Sequence, residues 1–424
     1  MENKSHPMAA GLFVVIVAAL LAGLAMFGPF SIDTMFPAFP AIEAELGASP
    51  LVMQQTLSVY LLAYACMSLF HGALSDSFGR RGVIVTSVGV FTLASIGCAL
   101  AGSIGTLLAF RALQGISAGA GLIVGRAIIR DLFDGAAAQK LMSNISLMFG
   151  IAPALAPVIG GWVLLAGSWR WIFWFLAAWS GLLLLACLWR LPETHAAARR
   201  LPFSPRHLLH SYGNMLRDRQ FWPLAISGTV NFSALFVYIA SAPAFVLGLL
   251  RLGPQQFPWL FVPAISGMML GALLSGRVAG RLSAERTVAL GYAIMLAGAA
   301  LNLVVSFALA APQVPWSVLP VGLHAIGISL TFPTLTLLLL DRYPAHRGGA
   351  SSMQAFVSLV FNALLAGVGV VHLADDARKL AAAAALLTGL GFVAWHVYRA
   401  HGKRELARER AAGPAMASEE AEPF

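Results

Sequence analysis

From Gly11 to residue 398, long apolar runs alternate with short clusters of charged, glycine and proline residues. Twelve such runs fall near 11–36, 51–73, 83–102, 104–128, 141–166, 169–190, 222–249, 257–279, 287–310, 316–340, 349–373 and 377–398. Each is long enough, as a helix rising about 1.5 Å per residue, to cross about 30 Å of hydrocarbon. The pattern predicts an all-α membrane protein whose backbone polar groups are satisfied within each helix.

The polar clusters organise these spans. The longest break, residues 191–221, carries Arg199, Arg200, Arg206, Arg217 and Arg219 and divides the chain into six spans and six. The expected units are a first half, 1–190, a linker, 191–221, a second half, 222–398, and a tail, 399–424. Inside the linker, Ser204-Pro205 reads as an N-cap followed by proline at the first helical position. Leu208, Leu209, Tyr212, Met215 and Leu216 then recur at helical spacing between basic residues. That predicts an amphipathic helix lying on the inner membrane surface. The tail begins basic, ends with Glu419, Glu420 and Glu422, and is expected to be disordered beyond Ala411. With the N-terminus inside, only Arg170, Arg251, Arg378 and Lys379 among the basic residues fall outside, and Arg111 is left in the membrane. That bias places both termini in the cytoplasm. The first run is too long for the apolar core of a signal peptide and is expected to be retained.

Composition narrows the class further. The chain has 424 residues, 59% hydrophobic and only 11% charged, far from the balance of a soluble domain. Its net charge of +9 follows from the positions of Lys and Arg and needs no nucleic-acid partner. Cys66, Cys98 and Cys187 lie in apolar runs at unrelated spacings, with neither a disulfide framework nor a metal signature. No cofactor or metal is expected.

Chemistry concentrates in a few residues. Asp33 is the one carboxylate, of 18 Asp and Glu, that lies inside an apolar run away from its ends. Such a group costs at least about 2.5 kcal/mol on insertion scales, so it reads as a site that gains and loses a proton. Arg111 lies about 10 Å below the outer end of its span, a depth comparable to that of Asp33. Opposite charges in one layer are expected to share a polar cavity, although an arginine there can also snorkel to the interface. His324, well inside the tenth run, is either a proton relay or a donor to a backbone carbonyl. An enzyme would need a nucleophile, base or metal set at one depth, and these three groups supply none. In the fifth run Gly150, Pro153, Pro157, Gly160 and Gly161 remove both bulk and hydrogen bonds, predicting a kinked helix tightly packed on a neighbour.

The loop after the second span reads Gly72-x-x-x-Asp76-x-x-Gly79-Arg80-Arg81, and a degraded copy, Gly276-Arg277 through Gly280-Arg281, follows the eighth. This loop resembles the signature loop of the major facilitator superfamily. Arg111-Ala-Leu-Gln114-Gly115 is similar to the arginine motif of its proton/drug antiporters. Gly150 to Pro153 and Pro157 to Gly161 are similar to their glycine-proline motif, with Ala156 where a glycine is usual. Ser31-Ile-Asp33, Phe36-Pro-Ala-Phe-Pro40, Ser168-Trp-Arg170 and Leu191-Pro-Glu193-Thr194 resemble the Bcr/CflA drug-resistance family.

The resemblance implies a monomeric twelve-helix transporter in a bacterial inner membrane, exporting amphiphilic drugs such as chloramphenicol or bicyclomycin by proton antiport. Asp33 and Arg111 would couple protons, and Gly72, Asp76, Gly79, Arg80 and Arg81 would form a gating loop. Asp76, Arg80 and Arg81 can also pair with Arg130 or Asp131 and latch the inner ends of the halves. Candidate substrate-cavity residues are Met26, Phe30, Gln114, Asn231, Phe232, Phe236, Tyr238 and His324, since span 7 should mirror span 1 across the cavity. A proton symporter importing a small nutrient is the alternative, because the signature loop serves both directions.

Overall fold

The computed structural model describes residues 7–133, 135–200 and 202–412. Among them the regular structure is helical throughout, with no strand. Eleven helical segments are long and apolar enough to cross a membrane. The fifth predicted run falls in a further helix, Gly135–Leu164, whose apolar part is Gly150–Leu164. The spans, numbered in chain order, are span 1 (Val15–Leu46), span 2 (Pro50–Phe78), span 3 (Arg80–Ala99), span 4 (Ile104–Leu132), span 5 (Gly135–Leu164) and span 6 (Arg170–Arg190). They continue as span 7 (Phe221–Ala240), span 8 (Pro258–Val278), span 9 (Ala284–Ala308), span 10 (Leu319–Arg342), span 11 (Arg347–Leu373) and span 12, within Ala377–Ala412. The first residues of the tail thus continue the last helix, and the acidic end, residues 413–424, lies outside the described residues.

Span 1 is longer and more broken than its hydropathy suggests. With the turns that precede it, it is built from Pro7–Ala25, Phe27–Asp33, a single tight turn at Phe36–Ala38, and Phe39–Leu46. Proline explains the breaks: Pro29, Pro37 and Pro40 have no N–H to give the carbonyls of Ala25, Asp33 and Phe36. Asp33 is therefore the last residue of a short helix, not the middle of a continuous one.

Spans 2, 3, 4 and 6 pack chiefly among themselves, as do spans 7, 8, 9, 10 and 12. Two seams chiefly join the groups, span 2 on span 11 and span 5 on span 8, and Gln54 Nε2 of span 2 also donates to Ala240 O of span 7 at 3.2 Å. Both seams are tied together at the end of the bundle away from the termini. Gln55 Nε2 donates to Gly367 O at 2.8 Å, and Ser58 Oγ to Ala363 O at 2.8 Å. Gly367 lies in a π-helical turn, Leu365–Gly369, where the widened ladder leaves carbonyls free to accept from outside. At the other seam, a Cβ on Gly161 would stand 2.5 Å from Pro254 O, and Gln255 Nε2 donates to Gly161 O at 3.3 Å.

The linker forms the expected helix, Pro205–Arg217, with Pro205 in its first turn. Ser204 holds the N-cap position in extended backbone, yet its side chain accepts no capping bond. The helix docks on protein instead of lying wholly on lipid. Tyr212 and Met215, one turn apart, are buried; Tyr212 Oη donates to Leu69 O of span 2 at 2.9 Å, and Met215 lies against Gly349 of span 11. Leu209 and Leu216 stay exposed on the remaining apolar side. The linker is also fastened to span 10: Asp218 accepts from Tyr343 Oη at 2.6 Å and Arg342 Nε at 3.0 Å.

Candidate functional site

Span 4 runs unbroken past the break in span 1, and at that level it carries Arg111, which is fully buried. The guanidinium is held by three spans. Nη1 donates to Ser31 O at 2.9 Å, Ser31 Oγ at 2.8 Å and Gln114 Oε1 at 2.8 Å, while Nε donates to Thr56 O at 3.2 Å. The Tyr60 ring lies under it, with Cζ 4.5 Å from the centroid. Arg111 therefore does not snorkel; its Nε and Nη1 donors are taken up by spans 1, 2 and 4, and Nη2 is left without a partner.

Asp33 stands two residues beyond Ser31, 3% exposed. The two groups occupy the same layer, but no ion pair within 4.0 Å joins them among the described residues. Instead the region holds buried polar atoms without partners: Asp33 Oδ1, Thr34 Oγ1 and Arg111 Nη2. Tyr60 lies within electrostatic reach of both Asp33 and Arg111. Each unsatisfied buried atom costs about 1–3 kcal/mol, and such groups collect where a molecule does chemistry or binds ligands. Span 5 closes the far side: a Cβ on Gly160 would lie 2.0 Å from Thr34 O, so glycine alone lets the helix approach.

Gln114 is wholly engaged in this frame, accepting from Arg111 and donating through Nε2 to Ser95 Oγ of span 3 at 2.8 Å. Phe30 packs on Trp179 of span 6, centroids 5.1 Å apart, and Met26 is half-buried at the joint of two helical pieces. In the second group three expected cavity residues turn into helix packing. Asn231 Nδ2 donates to Tyr292 Oη of span 9 at 3.0 Å, next to Gly391 of span 12. Asn302 Nδ2 donates to Tyr238 Oη at 2.7 Å. His324 Nε2 lies 3.3 Å from Thr388 Oγ1 of span 12. Each takes one polar partner within its own group of helices, because a buried polar side chain left alone is costly, although Asn231 Oδ1 and Asn302 Oδ1 stay without one. Phe232 and Phe236 stack at 6.3 Å on the face of span 7 that carries Thr229 and Ser233, which is turned to span 11.

That face is met by a polar stripe absent from the sequence-based candidates. Ser358 pairs with Thr229 at 2.8 Å, Ser233 Oγ donates to Asn362 Oδ1 at 2.6 Å, and Gln354 lies against Gly228. Gln354, Ser358 and Asn362 stand four residues apart, a spacing visible in the sequence as one helical face. His71, buried in span 2, was missed as well: it stands at the very end of the predicted run 51–73, but the helix continues five residues further, to Phe78.

The signature loop makes a charge cluster at the end carrying the termini. Gly79 has φ +94°, and a Cβ there would meet Glu193 Oε2 at 2.4 Å. Arg80 binds Asp76, Asp131 (3.3 Å) and Ser75 Oγ (2.6 Å), and its backbone N–H donates to Glu193 Oε1 at 3.0 Å. Arg81 Nη2 donates to Leu188 O at 2.6 Å, and Gly72 adds open space nearby. The expected pairing with Asp131 is present, but among the described residues every partner comes from spans 2, 4 and 6 or the start of the linker. The cluster fastens one group of helices and does not latch it to the other. At the opposite end, Trp169 Nε1 donates to Glu45 Oε2 at 2.7 Å and Arg170 pairs with the same carboxylate. The Ser168-Trp169-Arg170 stretch thereby ties span 6 to the last turn of span 1. In span 5, Gly160 and Gly161 make the close approaches described above, Pro153 and Pro157 lie inside the helix, and Gly150 meets nothing within 4 Å.

Known proteins similar to this chain are membrane transporters. The chain is 31% identical over 353 residues to the uncharacterized MFS-type transporter YdgK of Bacillus subtilis, covering 82% of this chain and 87% of that one. It is 27% identical to the bicyclomycin resistance protein homolog of Haemophilus influenzae, over 84% of this chain and 89% of the relative. It is 29% identical to the multidrug resistance protein MdtL of Escherichia coli, over 78% and 82%. Among solved structures, a bacterial homolog of the human lysosomal transporter Spinster, in an inward-facing and unoccupied conformation, aligns with a TM-score of 0.68 at 17% identity, over 93% and 97%. A D-xylose-proton symporter aligns with a TM-score of 0.65 at 14% identity, over 90% and 97%. The family model described as Major Facilitator Superfamily matches residues 15–370, and the chain belongs to that superfamily.

Proposed function

We propose that this protein exports small uncharged or zwitterionic amphiphiles, of the chloramphenicol or bicyclomycin kind, across a bacterial inner membrane in exchange for protons. Relatives named for bicyclomycin and multidrug resistance support the substrate class. The observation that carries proton coupling is Asp33, a buried carboxyl at a proline-made helix break with one oxygen unpartnered. In this reading both termini are cytoplasmic, the chain acts as a monomer, and the groups of spans before and after the linker are the halves that rock. Asp33 takes a proton when the far side opens and releases it to the cytoplasm as substrate binds. Arg111 holds Ser31, and so the short helix bearing Asp33, at fixed depth, while Phe232 and Phe236 offer apolar surface to the substrate. The charge cluster around Arg80 keeps the cytoplasmic ends of the first half rigid during the motion. Each proton contributes about 2.3 kcal/mol per 100 mV of membrane potential.

The test uses inverted membrane vesicles energised with a proton gradient, into which chloramphenicol, bicyclomycin or a quaternary ammonium dye is added. Proton release is expected with the neutral antibiotics and not with the dye. Asp33→Asn should abolish it while leaving expression intact, because the amide fits but cannot titrate. Undiminished proton-coupled efflux by Asp33→Asn would overturn the proton site; response to the dye alone would overturn the substrate class.

A further inference from the structure

Spans 2 and 3 form a hairpin about Gly79, yet both pack along span 4 far more than on each other. The gap between them is a cavity of about 510 Å³, lined among others by His71, Phe78, Gly82, Thr86, Ile116 and Ser117. Its volume lies within the roughly 300–1,000 Å³ typical of small-molecule sites. A Cβ on Gly82 would meet nothing within 4 Å, so the wall is open there. Phe78, Gly82, Thr86 and Ile116 are exposed at the mouth, on helices long and apolar enough to cross a membrane. His71 is the buried end: it is 2% exposed, one hydrogen bond joins its imidazole to the Ile116 backbone, and its Nδ1 has no other partner. None of the lining residues carries a formal charge, and the nearby Arg80 and Arg81 are engaged with Asp76, Asp131 and Leu188 O.

We propose that this cavity is a second small-molecule site, entered sideways from the leaflet nearest the termini. It takes an uncharged amphiphile whose hydroxyl or amide N–H reaches the His71 imidazole while its apolar body lies between spans 2 and 3. An imidazole without a charged neighbour matches a neutral polar group, and the apolar walls exclude ions from the site. The site is separate from Asp33 and does not depend on the antiport reading.

The full-length protein in lipid nanodiscs is photolabelled with a diazirine-bearing octanol, and the adducts are mapped by mass spectrometry. Adducts should concentrate on Phe78, Thr86 and Ile116 and saturate, whereas Leu182 and Leu185, exposed on span 6, should label weakly and without saturation. Gly82→Trp, and independently Thr86→Trp one turn along, should reduce cavity labelling to the span 6 level. His71→Phe should raise half-saturation about three- to tenfold, the effect of one lost hydrogen bond, for the alcohol but not for the matching diazirine alkane. Asp33→Asn should leave every value unchanged. Equal, non-saturating labelling of the cavity and span 6, or labelling indifferent to both tryptophan plugs, would overturn the site. Alcohol and alkane responding alike to His71→Phe would overturn the role of the imidazole.

Discussion

Asp33 and Arg111 are the same kind of anomaly in the sequence, a charge in hydrocarbon, but the structure gives them opposite conditions. Arg111 is saturated along one edge by Ser31, Thr56 and Gln114, and Asp33 Oδ1 has nothing. The two should respond differently to substitution. Arg111→Lys keeps the charge but replaces a planar fork by a point donor that cannot serve three spans at once. It should lower the stability of the detergent-purified protein by about 1–3 kcal/mol, read as an earlier thermal unfolding transition. Asp33→Asn breaks no hydrogen bond at Oδ1 and should leave that transition within error of the parent. Matching losses in the two variants would show that Asp33 is as structural as Arg111. Rarity alone pointed to both residues, since each acid or base in an apolar run stands out against its cost. Their arrangement was not legible, because depth along a helix says nothing of azimuth, and the carbonyl that holds Arg111 belongs to Ser31, two residues before the acid.

Among the helices, span 5 shows how much of a motif is geometry. Gly160 and Gly161 abut the carbonyls of Thr34 and Pro254, and Gly150 meets open space. Gly160→Ala should therefore reduce efflux and thermal stability, since a backbone carbonyl at 2.0 Å from the new Cβ cannot yield without moving span 1. Gly150→Ala should be tolerated, or stabilise by about 0.5–1 kcal/mol through helix propensity. A Gly160→Ala protein as stable and active as Gly150→Ala would mean that spans 1 and 5 separate readily. The linker offers a pH-dependent counterpart. Burial opposes ionisation of Asp218, but hydrogen bonds from Tyr343, Arg342 and the Gln220 N–H outweigh it and hold the carboxyl below its usual range. A depressed acid stabilises above its unfolded value, about 3.9, and that contribution is lost as pH falls through the folded value. Limited proteolysis of the linker should thus accelerate only below about pH 3.9 in the parent, and already at pH 7 in Asp218→Asn. The existence of these helices was plain from hydropathy, as was the amphipathic linker. The docking of Tyr212 and Met215 on spans 2 and 11 was not, because an apolar helical face looks the same whether it meets lipid or protein. The inward turn of Asn231, Tyr238 and His324 was hidden for a related reason: their partners Tyr292, Asn302 and Thr388 lie more than sixty residues away.

At the scale of the whole molecule, the twelve runs and the break at the linker carried the architecture, and the two seams between the groups carry what the sequence could not express. The seam of spans 2 and 11 is held by side chains reaching backbone carbonyls, Gln55 to Gly367 and Ser58 to Ala363. Bonds of this kind each contribute about 0.5–1.5 kcal/mol net, enough to hold the far end shut and few enough to break within a transport cycle. If the halves rock, this seam must part whenever the far side opens. A Cβ on Gly367 would lie 2.9 Å from Ser58 Cβ, so the pair Ser58→Cys and Gly367→Cys reaches the roughly 3.8 Å Cβ separation of a disulfide once the seam yields by about 1 Å. In a background with the exposed Cys66 replaced by Ser, oxidation should join them and stop efflux, and reduction should restore it. Binding of antibiotic from the side of the termini should survive the cross-link, because that opening does not involve this seam. Full transport by a quantitatively cross-linked protein would show that spans 2 and 11 never part at this end, and alternating access would then have to run through the seam of spans 5 and 8 alone.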